Sequence, residues 1–168
     1  MVTNLLCKYN TLLDLNGLST RDALNSCRQI FDRDINCEKQ ISFNSKNISP
    51  TPKDGIITME TFFRHLTTVE VDKKTKKREY DIHRSRRIHW IRFHIDGKKK
   101  DNMLIYSVKE PKGYRTYIYD KDESYVIVLE PLRNKNEYYF LSAYYVRGKD
   151  KERNKFVKKY KRRLPTLL

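Results

Sequence analysis

The chain has 168 residues, 38% of them hydrophobic and 34% charged, with a net charge of +15. That length suffices for one core of ordinary size, and no stretch approaches the roughly 20 apolar residues of a membrane helix. Met1 to Asn10 holds one Lys and no sustained apolar run, so no signal peptide and no membrane partner are expected.

The charge is unevenly placed. Residues 1–70 carry 8 Lys and Arg against 8 Asp and Glu. Residues 71–168 carry 28 against 13, an excess equal to the whole net charge, and 11 of the 12 tyrosines. Cations release counterions from phosphate and rings take up unstacked bases, so this segment points to nucleic acid as partner. A merely soluble, lysine-rich surface is the alternative. Cys7, Cys27 and Cys37 are odd in number and lie apart from the four histidines at 65–94, which predicts reduced thiols in a cytoplasmic setting and no zinc site.

In chain order, Ser19-Thr20 followed by Ala23, Leu24, Cys27, Ile30 and Phe31 predicts a capped helix over 20–34. Residues 42–55, rich in Ser, Asn, Pro and Gly, read as a linker. They divide a neutral helical region (1–55) from a basic α+β domain (56–168). Thr58 to Leu66 predicts a short helix burying Phe62, Phe63 and Leu66, and Lys73 to Arg78 a solvated basic loop. Tyr80, Ile88, Ile91 and Ile95 share a helical face, with Arg84 filling the gap, and predict a helix near 79–95 that Asp96-Gly97 stops. Trp90 on this helix is expected to pack in the core rather than stack a base.

After Lys98-Lys99-Lys100 the period changes to two. Met103–Val108, Tyr114–Asp120, Tyr125–Glu130 and Glu137–Val146 predict an antiparallel meander of three to four strands with short turns. A basic helix near 150–163 follows, with Phe156, Val157, Tyr160 and Leu164 as its apolar stripe. The fold class is therefore α+β, with N-terminal helices, a strand meander and a C-terminal basic helix. Alternation places Ile118, Leu141 and Ala143 on the helix-packed face, leaving Arg115, Tyr119, Ser142 and Tyr144 on an open one, provided the register holds. Such a face would suit a phosphodiester, or be an ordinary tyrosine-rich solvent face.

No metal-ligand set, phosphate-binding glycine loop or nucleophile elbow is present, so no cofactor or metal is expected. Asp120, Asp122 and Glu123 read as turn residues. A metal-free cut favours RNA, whose 2′-hydroxyl supplies the nucleophile while side chains move protons and offset charge.

The helix Arg84-Ser85-Arg86-Arg87-Ile88-His89-Trp90-Ile91, followed by Tyr117-Ile118-Tyr119, the strand from Tyr125 to Glu130, and the strand from Tyr138 to Tyr145, resembles the Barnase–EndoU–colicin–RelE-like nuclease superfamily, in its phage- and polymorphic-toxin-associated branches. The resemblance spans about residues 60–163 and rests on Arg86 and on Ser142-Ala143-Tyr144. It implies a metal-independent, toxin-type ribonuclease acting on tRNA or other RNA, at work in the cytoplasm or delivered into that of a target cell. A toxin of this kind would have a cognate immunity or antitoxin protein. His65 stands where the family's N-terminal catalytic His is expected, or is a helix-surface residue. His89 is a second acid–base candidate, or structural. Arg115 and Ser142 are the phosphate-contacting pair, with Tyr117, Tyr119 and Tyr144 as substrate-binding rings. The family's two-His-plus-Lys set is not found. A non-catalytic nucleic-acid-binding domain and a protein-interaction module are the competing readings.

Overall fold

The computed structural model describes residues 2–52 and 58–168. Lys53 to Ile57, which contain the expected boundary at 55/56, lie outside the described residues.

Helix α1 (Thr20–Asp34) starts where Ser19, in extended conformation, accepts the Asp22 N–H on its hydroxyl. Its buried stripe is Ala23, Cys27, Ile30 and Phe31, as the spacing predicts. Burial pushes the Cys27 thiol up to about 12, so it sits in the core as a neutral group. Helix α2 (Met59–Thr67) is capped in the same way by Thr58 and buries Phe62, Phe63 and Leu66.

Of the segment read as a linker, residues 42–50 are instead a hairpin, and residues 53–55 lie outside the described residues. Strands β1 (Ser42–Phe43) and β2 (Lys46–Pro50) are joined by Asn44 and Ser45, both at positive φ. This is the two-residue turn that matches strand twist, and the Asn and Ser that build it are what imitated a linker. Ile48 and Pro50 point inward. The expected basic loop is also a hairpin, of β3 (Thr68–Asp72) and β4 (Lys77–Tyr80).

The single helix expected over 79–95 is two. Helix α3 (Ile82–Ser85) is followed by α4 (Ile88–Ile95). A continuous helix would use the Arg86 carbonyl internally. Here it accepts the Leu13 N–H at 3.0 Å, and the Trp90 N–H turns to Arg87 O at 2.9 Å. The N-terminal strand of chain thus takes the bond that would have joined the helices.

The meander is present as β5 (Met103–Glu110), β6 (Gly113–Asp120), β7 (Tyr125–Pro131) and β8 (Glu137–Tyr145). It is part of a six-stranded mixed sheet ordered β1-β2-β8-β7-β6-β5, in which β2 runs parallel to β8. The C-terminal helix is broken into α5 (Lys149–Glu152) and α6 (Lys155–Lys161) by Asn154 at φ +49°.

Both sheet faces are covered. One packs Ile118, Ile127, Leu129, Phe140 and Ala143 against Phe31, Phe62 and Trp90, in a core that also takes Leu13, Leu15 and Ile48 from the N-terminal region. Trp90 is buried and donates its indole N–H to Thr11 O at 3.1 Å. The other face packs Tyr106, Tyr117, Tyr119 and Val128 under Phe156 of α6. Leu141 is the extra residue of a β-bulge opposite Val128, and it joins this second face rather than sharing one with Ala143. The face expected to be open is therefore closed: Tyr117 and Tyr119 are only 5% and 8% exposed. Among the described residues, no helix is long and apolar enough to cross a membrane.

A candidate anion-binding site beside the bulge of β8

Strand β2 pairs with β8 only as far as Phe140, and the second half of β8 lies beside α2 and α3. The bulge at Leu141 falls at this point and re-aims the residues after it. Asp81 caps α3 by accepting the N–H groups of His83 and Arg84 at 2.8 and 3.2 Å. That cap fixes where the Arg84 side chain leaves the helix.

Arg84 is the centre of the site. Its Nη1 donates to the Ser142 hydroxyl at 3.2 Å and to the His65 carbonyl at 3.1 Å. The guanidinium carbon lies 5.4 Å from the centroid of the Tyr144 ring. Among the described residues one carboxylate pairs with it, Asp81, whose Oδ2 lies 3.8 Å from Nε while its Oδ1 caps the helix. Arg87 is close by, stacked over Tyr145 at 4.4 Å, with Nη1 on the His83 carbonyl at 2.7 Å and Nε buried without a partner. Burial, which disfavours charge, lowers the pKa of both arginines. Arg147 adds its repulsion to Arg84 and to His83, whose pKa falls chiefly through burial. Both guanidinium groups stay charged at any working pH. The site therefore gathers positive charge beside the Ser142 hydroxyl and the Tyr144 ring, with Asp81 as the carboxylate paired to Arg84.

The residues singled out in the sequence are distributed as follows. Ser142, Tyr144 and His65 come together around Arg84. Arg115 does not join them: it pairs with Glu130 at 2.9 Å in a row of the sheet beyond Val128 and Ser142. Arg86 points to the N-terminal segment, donating to the Asn16 side chain. His89 is buried, and its Nε2 faces the carbonyls of Lys8 and Thr11 at 3.2 and 2.9 Å. Burial lowers its pKa, which suits a neutral structural ring. Tyr117 is bonded to Glu110 and Lys159 under α6, and Tyr119 packs on Phe156.

Sequence reasoning passed over Arg84, Arg87, His83 and Arg147. Arg84 had been used to fill an apolar stripe. It does point inward, and an arginine on an otherwise apolar stripe, with Asp81 three positions before it, is the available signal.

A second buried charged set has the opposite make-up. Asp120, with no exposed side-chain surface, accepts Lys99 Nζ at 2.9 Å, the Tyr9 hydroxyl, and the N–H groups of Asp122 and Glu123. The last two contacts are the turn chemistry read from the sequence. The His94 ring lies 3.3 Å away, though neither of its nitrogens is aligned for a hydrogen bond. Burial alone would raise the Asp120 pKa; the neighbouring His94 ring, Tyr9, Lys99 and the Glu123 N–H override it and hold the carboxyl well below the usual range. Among the described residues, no group of three or more His, Cys, Asp or Glu comes together as metal ligands. Comparisons of this chain with protein-family models, curated proteins and solved structures gave no match.

Proposed function

We propose that the protein is an RNA-cleaving enzyme whose phosphodiester site is the Arg84–Ser142 cluster. The observation that carries this reading is a half-buried guanidinium, with Asp81 as its paired carboxylate, holding a serine hydroxyl on a bulged strand three positions before a second arginine with an unpartnered Nε. A bound phosphate would supply the missing negative charge, and Arg84 and Arg87 would offset the charge that builds on phosphorus. His83, next to Arg84 in the chain, and His65, whose backbone carbonyl Arg84 binds, are assigned as the proton carriers. His83, kept neutral by burial and by Arg147, takes the 2′-hydroxyl proton as that oxygen bonds to phosphorus. The bond to the 5′-oxygen breaks, and His65 returns a proton to that oxygen. The products are a 2′,3′-cyclic phosphate and a free 5′-hydroxyl. The basic excess of residues 71–168 supports RNA as the polyanion.

A base-stacking sheet built on the central tyrosines Tyr106, Tyr117 and Tyr119 would need the part of the face that α6 covers. The test is incubation of the purified protein with total RNA in EDTA, with mapping of product ends. Cyclic phosphate ends, loss of cutting at a 2′-O-methyl position and loss in Arg84→Ala are expected. Equal cutting of DNA, dependence on Mg²⁺, or full activity in Arg84→Ala would overturn the assignment.

A further inference from the structure

At the far end of the sheet, where β6, β7 and β8 meet the β7–β8 turn, an open hollow of about 360 Å³ is walled by Tyr114, Arg115, Tyr139 and Arg133. Its two rings come from opposite faces at the end of the sheet, Tyr139 from the face of Ser142 and Tyr114 from that of Thr116, and both differ from the tyrosines near α6. Tyr106, Tyr117, Tyr119 and Tyr144 each pack against another aromatic ring, whereas Tyr114 and Tyr139 pack against none among the described residues. Both are half-buried. Arg133 lies with its guanidinium carbon 4.2 Å over the Tyr114 ring, forming a cationic platform. The ion pair in the hollow is Arg115–Glu130; Arg133 and Lys135, both exposed, share the same turn and add positive charge. A second hollow of about 510 Å³ adjoins it across that turn and brings in Lys46.

We infer that this hollow is a subsite for an unstacked base of single-stranded RNA, next to the phosphate held at Arg84. The inference rests on the function proposed above and adds where the strand runs. Rings and guanidinium planes are the surfaces on which proteins seat unpaired bases, and cations beside them hold the backbone. The geometry fits one continuous strand. Tyr139 precedes Ser142 on β8 by three positions, one of them the bulge residue Leu141, so the two stand two rungs of β7 apart, about 7 Å at the rise of a strand. Glu130 pairs with Tyr139, and Val128 with Ser142, so Tyr139 and Ser142 lie in neighbouring rows of one face. The half of that face covered by α6 ends between Tyr117 and Arg115, which directs the strand along β8.

The test uses the full-length protein and an uncleavable 2′-O-methyl oligoribonucleotide of about eight nucleotides, near the size one such surface covers. A 2-aminopurine in the strand reports stacking. Wild type should bind and quench it. Tyr139→Leu and Arg133→Ala should each weaken binding about tenfold, in the range of one lost base stack, and Tyr139→Leu should abolish the quench. Tyr139→Phe, which keeps the ring, should behave as wild type, and melting curves should show all three variants folded. If both variants bind as wild type while Arg84→Ala loses binding, the subsite is wrong and the Arg84 site stands. If wild type binds no oligonucleotide, both are wrong. If heparin binding is as sensitive to Tyr139→Leu as RNA binding, the hollow is a plain polyanion site and the base subsite is overturned.

Discussion

Asp120 and Arg84 both bring charge out of water, and the two regions solve that problem in opposite ways. Around Asp120 one buried carboxylate meets a lysine, a tyrosine hydroxyl, a histidine ring and two backbone N–H groups. These contacts lower the cost of holding a single negative charge, and the carboxylate is answered from within the protein. Around Arg84 the balance runs the other way: burial disfavours both guanidinium groups, Arg147 repels Arg84 and Arg86 repels Arg87, and the carboxylates that answer are Asp81 for Arg84 and Glu123 for Arg87. A set of charges satisfied from within reads as structure. A set left positive reads as a place for an anion, because breaking even in the absence of ligand is not what it is built for.

The comparison breaks most visibly if Asp120 can be removed without harm. Asp120→Ala should cost about 3–5 kcal/mol, the scale of stranding one half of a buried ionic set. In a domain stable by about 5–15 kcal/mol this shows as a large drop in urea midpoint. Tyr9 would lose its anchor in the same event, and with it the N-terminal segment that stacks on Phe93 at 4.3 Å and splits α3 from α4. A variant that melts like wild type would remove the structural half of the contrast.

Next in size is the effect on cleavage. Arg84→Ala and Ser142→Ala should slow the reaction by about 10²–10³-fold, the scale of removing one donor to a developing oxyanion. Neither should cost more than about 1 kcal/mol in stability, since each loses modest hydrogen bonds while Arg84→Ala also relieves repulsion among like charges. The readout is the pair of numbers. Activity lost in proportion to stability would make Arg84 another structural residue.

A pH series sharpens the same contrast. The folded-state pKa of Asp120 is depressed, so its contribution is fully present above the unfolded value near 4 and is lost as pH falls toward the lower folded value. Urea midpoints should fall from about pH 5 downward, and Asp120→Asn should flatten that fall. Arg84 and Arg87 do not titrate in this range, so Arg84→Ala should leave the slope unchanged.

What the sequence disclosed follows the same division between local and distant causes. Helix α1 with its Ser19 cap, α2 with its Thr58 cap and the β5–β8 meander are set by neighbouring residues, and each could be read from spacing. The hairpin at 42–50 could not, because Asn44 and Ser45 make the same composition serve a turn or a linker, and only the partner strand β8 decides. The break between α3 and α4 depends on Leu13, more than seventy positions earlier. The bulge at Leu141 moved that one residue to the face of Ser142, while Ala143 stays with Ile118, and Ser142 and Tyr144 share the face of Arg115 and Tyr119 as the alternation expects. Ser142, Tyr144 and His65 were named from the sequence and meet in space, yet the arginine that joins them is Arg84 and not Arg86 or Arg115.

Arg115 gives the smallest and most discriminating effect. The sequence pairs it with Ser142; in the structure it is held by Glu130 at 2.9 Å and by the carbonyls of Tyr114 and Lys112, one row away. Its ion pair is partly exposed, with Glu130 open to solvent on one side, so Arg115→Ala should cost about 0–1 kcal/mol in stability. A residue that touches the strand but not the reacting phosphate contributes equally to ground state and transition state. Arg115→Ala should therefore raise KM several-fold with kcat within about twofold of wild type, the pattern of lost uniform binding. Arg84→Ala should instead lower kcat and kcat/KM together. If Arg115→Ala lowered kcat as much as Arg84→Ala does, the reacting phosphate would lie at the other end of the sheet, and the unbalanced charge around Arg84 would need another explanation.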